Sequence, residues 1–116
     1  MTKIFCFGSN LRGAHGKGAA LTAVKEYGAI YGQGIGLQGN SYAIPTKNSA
    51  LHPLALEYIK EYIDQFIQFA FDHPELIFEV TPVGCGLAGY EAWQIGPMFK
   101  GVPENVYLPA VFKEFV

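Results

Sequence analysis

The sequence predicts an α/β fold, a compact three-layer α/β/α sandwich with a mixed sheet. Three observations carry this expectation. The apolar run Ile4-Phe5-Cys6-Phe7 breaks into glycines and re-emerges as the helix-like stretch Ala19 to Tyr27. Near the other end, Phe78 to Val83 breaks into Gly84-Cys85-Gly86-Leu87-Ala88-Gly89-Tyr90 and a second short helical segment follows. Between them lies a long amphipathic stretch, Leu54 to Phe71. Strands that alternate with helices build sheets covered by helices.

Each element has its own local reason. Ile4 to Phe7 reads as a short buried strand. In Ala19 to Tyr27, Ala20, Ala23, Val24 and Tyr27 share a face, and Gly28 stands where a helix-ending glycine belongs. The glycine-dotted stretch from Ala29 to Thr46 is not helical. It reads as two strands, Ile35 to Leu37 and Ser41 to Pro45, around the turn Gln38-Gly39-Asn40, with Pro45 ending the second strand or marking a sheet edge. Asn48 or Ser49 is the candidate cap of the long helix, with Pro53 in its first turn. From Leu54 to Phe71, Leu56, Ile59, Ile63, Phe66, Ile67 and Ala70 keep helical spacing against a polar face of Glu57, Lys60, Glu61, Asp64, Gln65 and Gln68. Leu76 to Val83 reads as a strand and Ala92 to Phe99 as a short helix interrupted by Gly96-Pro97. Asn105 to Leu108 reads as a last strand, and Pro109 to Val116 as a tail with room for one helical turn.

Composition narrows the class. With 116 residues the expectation is a single domain, and 50% hydrophobic against 16% charged residues argues for a filled core. A net charge of −2 makes nucleic acid an unexpected partner. Cys6 and Cys85 are too few for a disulfide framework and read as reduced thiols. No apolar run has the length of a membrane span, and the start lacks a signal-like segment, so a soluble cytoplasmic protein is expected. No histidines, cysteines and carboxylates stand at metal-ligand spacing, so neither metal nor cofactor is expected.

The two glycine stretches are the candidate site. Glycines let a backbone approach a ligand, and a helix start offers free N–H groups and partial positive charge. Gly16-Lys17 fails the Walker pattern, because Leu11 replaces its first glycine and Gly18 its Ser or Thr. Gly84 to Gly89 matches the dinucleotide fingerprint with a strand before it. Only 27 residues follow Gly89, too few for a Rossmann half. If the two preceding strands are parallel, both turns open at one sheet edge and wall one cleft suited to a diphosphate. The alternative is that the glycines only turn the chain. Around them, His15 is a candidate phosphate donor or general base, or a loop histidine. Lys17 at a helix start favours an anionic ligand, as does Arg12, or both are surface cations. Asn10 either caps its turn or binds ligand. Cys85 beside backbone N–H groups is a candidate for a lowered pKa. Tyr42, Tyr90 and Trp93 are candidates for a base pocket, or core and rim residues.

Asn10 followed by Gly16-x-Gly18-x-Ala20 at a helix start resembles the first ligand loop of macro domains, and Val83 to Tyr90 resembles their second. The element order between the loops matches as well. The words Gly8-Ser9-Asn10-Leu11, Leu37-Gln38-Gly39 with Ser41 to Lys47, and Gly84 to Tyr90 are also similar to a group of small phage and prophage proteins. The macro-domain resemblance implies ADP-ribose or a related, including cyclic, nucleotide as ligand, or an ADP-ribosylated substrate. Gly8, Ser9 and Asn10 with Gly16, Lys17, Gly18 and Ala19 would form one wall, and Gly84, Cys85, Gly86, Leu87, Ala88, Gly89 and Tyr90 the other. Asn10 would bond the distal ribose and Tyr90 would stack on a ribose or base. For hydrolysis at the distal ribose or phosphate, Asn10, His15 and Glu91 are the candidate catalytic residues, with Lys17 as helper. The hydrolase branch carries a first-helix lysine where Val24 stands here, with Lys25 one residue away. A reader or sequestering protein is the companion expectation. A structural or interaction domain, possible as a homo-oligomer, is the alternative from another class.

Overall fold

β1 (Lys3–Asn10) runs through the middle of the sheet, and its alternating side chains are buried on both faces. In the computed structural model, which describes residues 2–116, Ile4 and Cys6 join one core while Phe5 and Phe7 join another. A strand covered on both faces reads as a continuous apolar run, and that is why Ile4 to Phe7 shows no polar alternation. The strand is longer than expected because it continues through Gly8, Ser9 and Asn10.

The remaining elements are α1 (Gly18–Glu26), β2 (Gly36–Gln38), β3 (Ser41–Lys47), α2 (Leu56–Asp72), β4 (Ile77–Val80), α3 (Ala92–Ile95) continued by a 3₁₀ turn at Gly96–Phe99, β5 (Val106–Tyr107) and α4 (Ala110–Lys113). The sheet order is β2-β3-β1-β4-β5. β1 is parallel to both β3 and β4, β5 is parallel to β4, and β2 alone is antiparallel. The chain steps from β1 to β3 on one side through α1, then crosses to β4 on the other through α2. Ala20 and Ala23 of α1 pack on Phe7 and Ala43 on one face. Ile59, Ile63, Phe66 and Ala70 of α2 pack with Ile4, Cys6, Ile44 and Phe78 on the other. The fold is an α/β sandwich with a five-stranded mixed sheet, and β1 is the point where the winding reverses.

Several boundaries differ from the sequence expectation. Pro45 does not end β3: it sits opposite Ser9 in β1, while β2 stops opposite Ala43, so on that side β3 is locally an edge and the missing N–H costs no ladder bond. Neither Asn48 nor Ser49 caps α2, whose cap position is Ala55 without a side-chain bond. The Asn48 Oδ1 instead accepts from the Ala50 and His52 N–H groups and closes the loop before the helix. β4 is shorter than Leu76 to Val83 because Thr81, bonded through its N–H and hydroxyl to the Cys6 carbonyl, leads into Pro82 and a turn. At the far edge, the Asn105 side chain donates to the carbonyls of Ala70, His73 and Leu76, tying the end of α2 to β4 and β5.

Candidate functional site

Because β1, β3 and β4 are parallel, their C-terminal ends share one edge, and the chain leaves that edge through three loops. Open α/β sheets place ligands at such a reversal point, where neighbouring connections diverge to opposite faces. Here the divergence opens a cleft of about 650 Å³, within the usual range for small-molecule sites. Gly8, Ser9 and Asn10 of β1 form its floor with Thr46 and Lys47 of β3. Gly16 to Ala20 form one wall and Thr81 to Gly84 with Gly86, Leu87 and Ala88 the other. The two glycine loops therefore do face a common space.

Loop one is held from within. The Asn10 side chain makes a reciprocal pair with Ala14, its Nδ2 donating to the Ala14 carbonyl and its Oδ1 accepting from the Ala14 N–H. Its amide lines the cleft and is at the same time spent on the loop. The Ser9 hydroxyl donates 2.6 Å to the Gly34 carbonyl, clasping the loop before β2 onto β1. α1 then starts at Lys17 with no side-chain cap and no acid in its first turn. Among the described residues, the backbone N–H groups of Gly16, Lys17 and Gly18 on one wall, and of Gly86, Leu87 and Ala88 on the other, have no partner in the protein. Both walls thus carry residues whose N–H groups are unpartnered.

The other predicted site residues lie elsewhere. His15 does not reach the cleft: it is 1% exposed, edge-on to Phe7, with Nε2 within hydrogen-bond distance of the Gln33 carbonyl and the Gln38 Oε1. Those two acceptors assign the proton to Nε2 and make the imidazole a tie between loop one and the segment before β2. Glu91 stands at the N-cap of α3, where its N–H donates to the Gln94 Oε1, and lies outside the cleft lining. Tyr90 donates its hydroxyl to the Leu54 carbonyl and bolts loop two to the approach of α2. Gly89 and Cys85 stand behind the wall. Burial first and the Glu91 carboxylate second push the Cys85 thiol up, opposite to the lowering a reactive cysteine needs. Tyr42 is core, packed on Phe66 and Phe69, and Trp93 is exposed outside the cleft lining.

The cleft also contains residues outside the predicted loops: Tyr31, Lys47, Leu51 and Thr81. Lys47 ends β3, read from sequence only as half of a hairpin, and Leu51 follows it. Placing their loop in the site required knowing that β3 lies parallel beside β1. Leu51 is the one non-glycine residue with a left-handed backbone among those described, at φ +66°. Among the described residues the lining carries Arg12, Lys17 and Lys47 and no carboxylate, imidazole or thiol. No helix among the described residues is long and apolar enough to cross a membrane, and none of them form a cluster of metal-ligating side chains.

Neither a protein-family model nor a curated protein sequence matches the chain. A solved structure from Bacteroides thetaiotaomicron, described as a protein of unknown function, is similar in fold. Its TM-score is 0.63 at 18% identity, over 92% of this chain and 87% of that one. The α/β architecture thus recurs over nearly the full length of both chains.

Proposed function

We propose that the protein binds ADP-ribose or a related nucleotide diphosphate in the cleft between its two glycine loops, as a reader or sequestering protein. One observation carries this reading. Of the 14 glycines, nine have a left-handed backbone, and at Gly8, Gly34 and Gly96 a Cβ would meet a neighbouring element. That leaves Gly16 and Gly86, where a Cβ would meet nothing within 4 Å and the backbone needs no glycine. These two line opposite walls of the cleft, each beside unpartnered N–H groups. Folding gives no reason for them. Close approach of a ligand gives one.

The unpartnered donors and the cationic, carboxylate-free lining favour a diphosphate. The lining offers no group that would act as a general base at neutral pH, which favours binding over turnover; hydrolysis would rest on ligand-oriented water. The test is thermal denaturation with millimolar ADP-ribose, ADP, AMP and NAD, followed by chromatography for products. A ligand at 100 times its Kd stabilises by about 2.7 kcal/mol, a readily measured shift. Gly86→Val should melt within a few degrees of the wild type and lose the shift, because the added side chain has room in the folded protein but occupies the ligand's place. Equal shifts in both proteins would refute the cleft.

A second reading has its own observation. Ile30, Tyr31, Ile35 and Leu37 are exposed beside the β2 edge. An interaction surface there, including one between copies of the chain, would show as concentration-dependent association in sedimentation that Ile35→Lys abolishes.

A further inference from the structure

One face of the sheet is covered from side to side and the other only in part. Residues opposite each other in neighbouring strands point to the same face. On the α2 side the row Ile4, Phe78 and Val106 is at most 8% exposed. On the α1 side the row Ser41, Phe5, Glu79 and Tyr107 runs from 0% exposed at Ser41 to 58% at Tyr107. Phe5 is the last of that row under cover, its ring centroid 4.4 Å from that of Tyr27 at the end of α1. Beyond it, Lys3, Ile77, Glu79 and Tyr107 form a strip over which no helix of the described residues lies. Parallel strands are normally buried on both faces, yet β4 and β5 are parallel and bare on one.

The apolar surface extends beyond the strands. Ile77 and Tyr107 also line a groove of about 410 Å³ at the β5 edge, together with Phe71, Pro74 and Pro103. Phe71 is exposed like Tyr107, so two aromatic rings stand in water on one continuous surface. Exposed aromatic residues in such a patch are typical of interface cores, where their burial dominates association. The charges of the strip are Lys3 and Glu79, one of each sign, 3.4 Å apart and open to solvent, and Glu104 stands in the groove. None of these residues lines the cleft.

We propose that the bare strip is covered by the same strip of a second copy of the chain, in a two-fold dimer that packs β4 and β5 of both copies face to face. An isologous interface has to be self-complementary. A strip with one cation and one anion meets that condition, because the two-fold sets Lys3 of each copy against Glu79 of the other while Ile77 and Tyr107 bury one another. A partner of a single charge sign finds no matching field there. The exposed Lys3–Glu79 pair contributes little within one chain, so sharing it across the axis gives up little.

The experiment is sedimentation equilibrium, in which the wild type should reach twice the mass of the chain as its concentration is raised. Tyr107→Glu, at an exposed position, should weaken association about tenfold or more, as loss of an interface aromatic does. Ile35→Lys, beside the β2 edge, should leave it unchanged. Lys3→Glu and Glu79→Lys should each weaken it, because the axis then opposes like charges twice. An equal mixture of those two variants should recover the wild-type affinity to within about threefold, since each copy then carries the sign that the other lacks. Both charge changes are at exposed positions, so this arm stands even where the tyrosine variant fails to fold. A wild type that stays monomeric at millimolar concentration, association that Tyr107→Glu leaves intact, or a mixture no tighter than either charge variant alone would overturn the dimer. Association abolished by Ile35→Lys and by none of the others would overturn it too, placing the contact at the β2 edge.

Discussion

Gly34 and Gly16 are the same residue type in loops that touch β1 and its continuation, yet they are glycine for opposite reasons. A Cβ on Gly34 would collide with the Asn10 carbonyl oxygen, because the segment before β2 lies directly on the end of β1. A Cβ on Gly16 would meet nothing. Gly34→Ala should therefore cost about 1–3 kcal/mol, the usual range for overpacking. Gly16→Ala should stay within about 0.5 kcal/mol, as surface substitutions do. Urea denaturation of the two variants measures the contrast, and a comparable loss for both would show that Gly16 is structural after all. The candidate catalytic residues divide in the same manner. Asn10, His15 and Glu91 each carry chemistry suited to a hydrolase, and each is engaged in holding backbone: a loop, a clasp and a helix start. Residue type identified polar groups suited to such chemistry, but the fold sets His15 and Glu91 outside the cleft lining and ties the Asn10 amide to Ala14.

α1 is the element in which stability and the proposed binding oppose each other. An N-terminal side chain that accepts from the first-turn N–H groups commonly adds about 1 kcal/mol, and an acid there also complements the helix dipole. This helix has Lys17 instead, with no capping bond and no acid in its first turn. Lys17→Asp should raise the denaturation free energy by about 1 kcal/mol and at the same time abolish the ADP-ribose shift, since a carboxylate would hold the donors that the diphosphate needs. Stabilisation with the shift retained would place the ligand elsewhere. α2 has no such conflict. Its apolar face of Ile59, Ile63, Phe66 and Ala70 is fully buried against the sheet, which is why its periodicity was so readable.

At the scale of the molecule, the large core sets the alkaline limit of the fold. Tyr42 lies between the sheet and α2, and burial, with a smaller contribution from the neighbouring Cys6, pushes its pKa up to about 12 from an ordinary value of 10. Burial likewise raises the Cys6 thiol well above its usual range. In both cases the folded state holds its proton more tightly than the unfolded chain. Their contribution is therefore constant below the unfolded pKa values and is lost as pH rises, from about pH 9 for the thiol and between about 10 and 12 for the phenol. The urea midpoint should be flat from pH 7 to 8.5 and fall steeply towards pH 12. Tyr42→Phe should make that fall shallower between pH 10 and 12; an identical slope would show that other groups govern it.

How far the chain could be read from its letters followed the range of the interactions. Apolar runs, the 3.6-residue period of α2, a glycine after α1 and the Gly39-Asn40 turn are local, so the α/β class, the hairpin and both glycine loops were legible in the sequence. Strand neighbours are not local. That β3 lies parallel beside β1, continues through Pro45 and delivers Lys47 and Leu51 to the cleft depends on pairing across the length of the chain. So does the fate of His15, which becomes a buried clasp only because Gln33 and Gln38 come back over loop one. The sequence determined which segments are strands, helices and glycine turns, because those follow from each segment's own side chains. Which of their polar groups remain free to meet a ligand was decided by tertiary packing, because a hydrogen-bond partner far along the chain satisfies a group that its neighbours leave open.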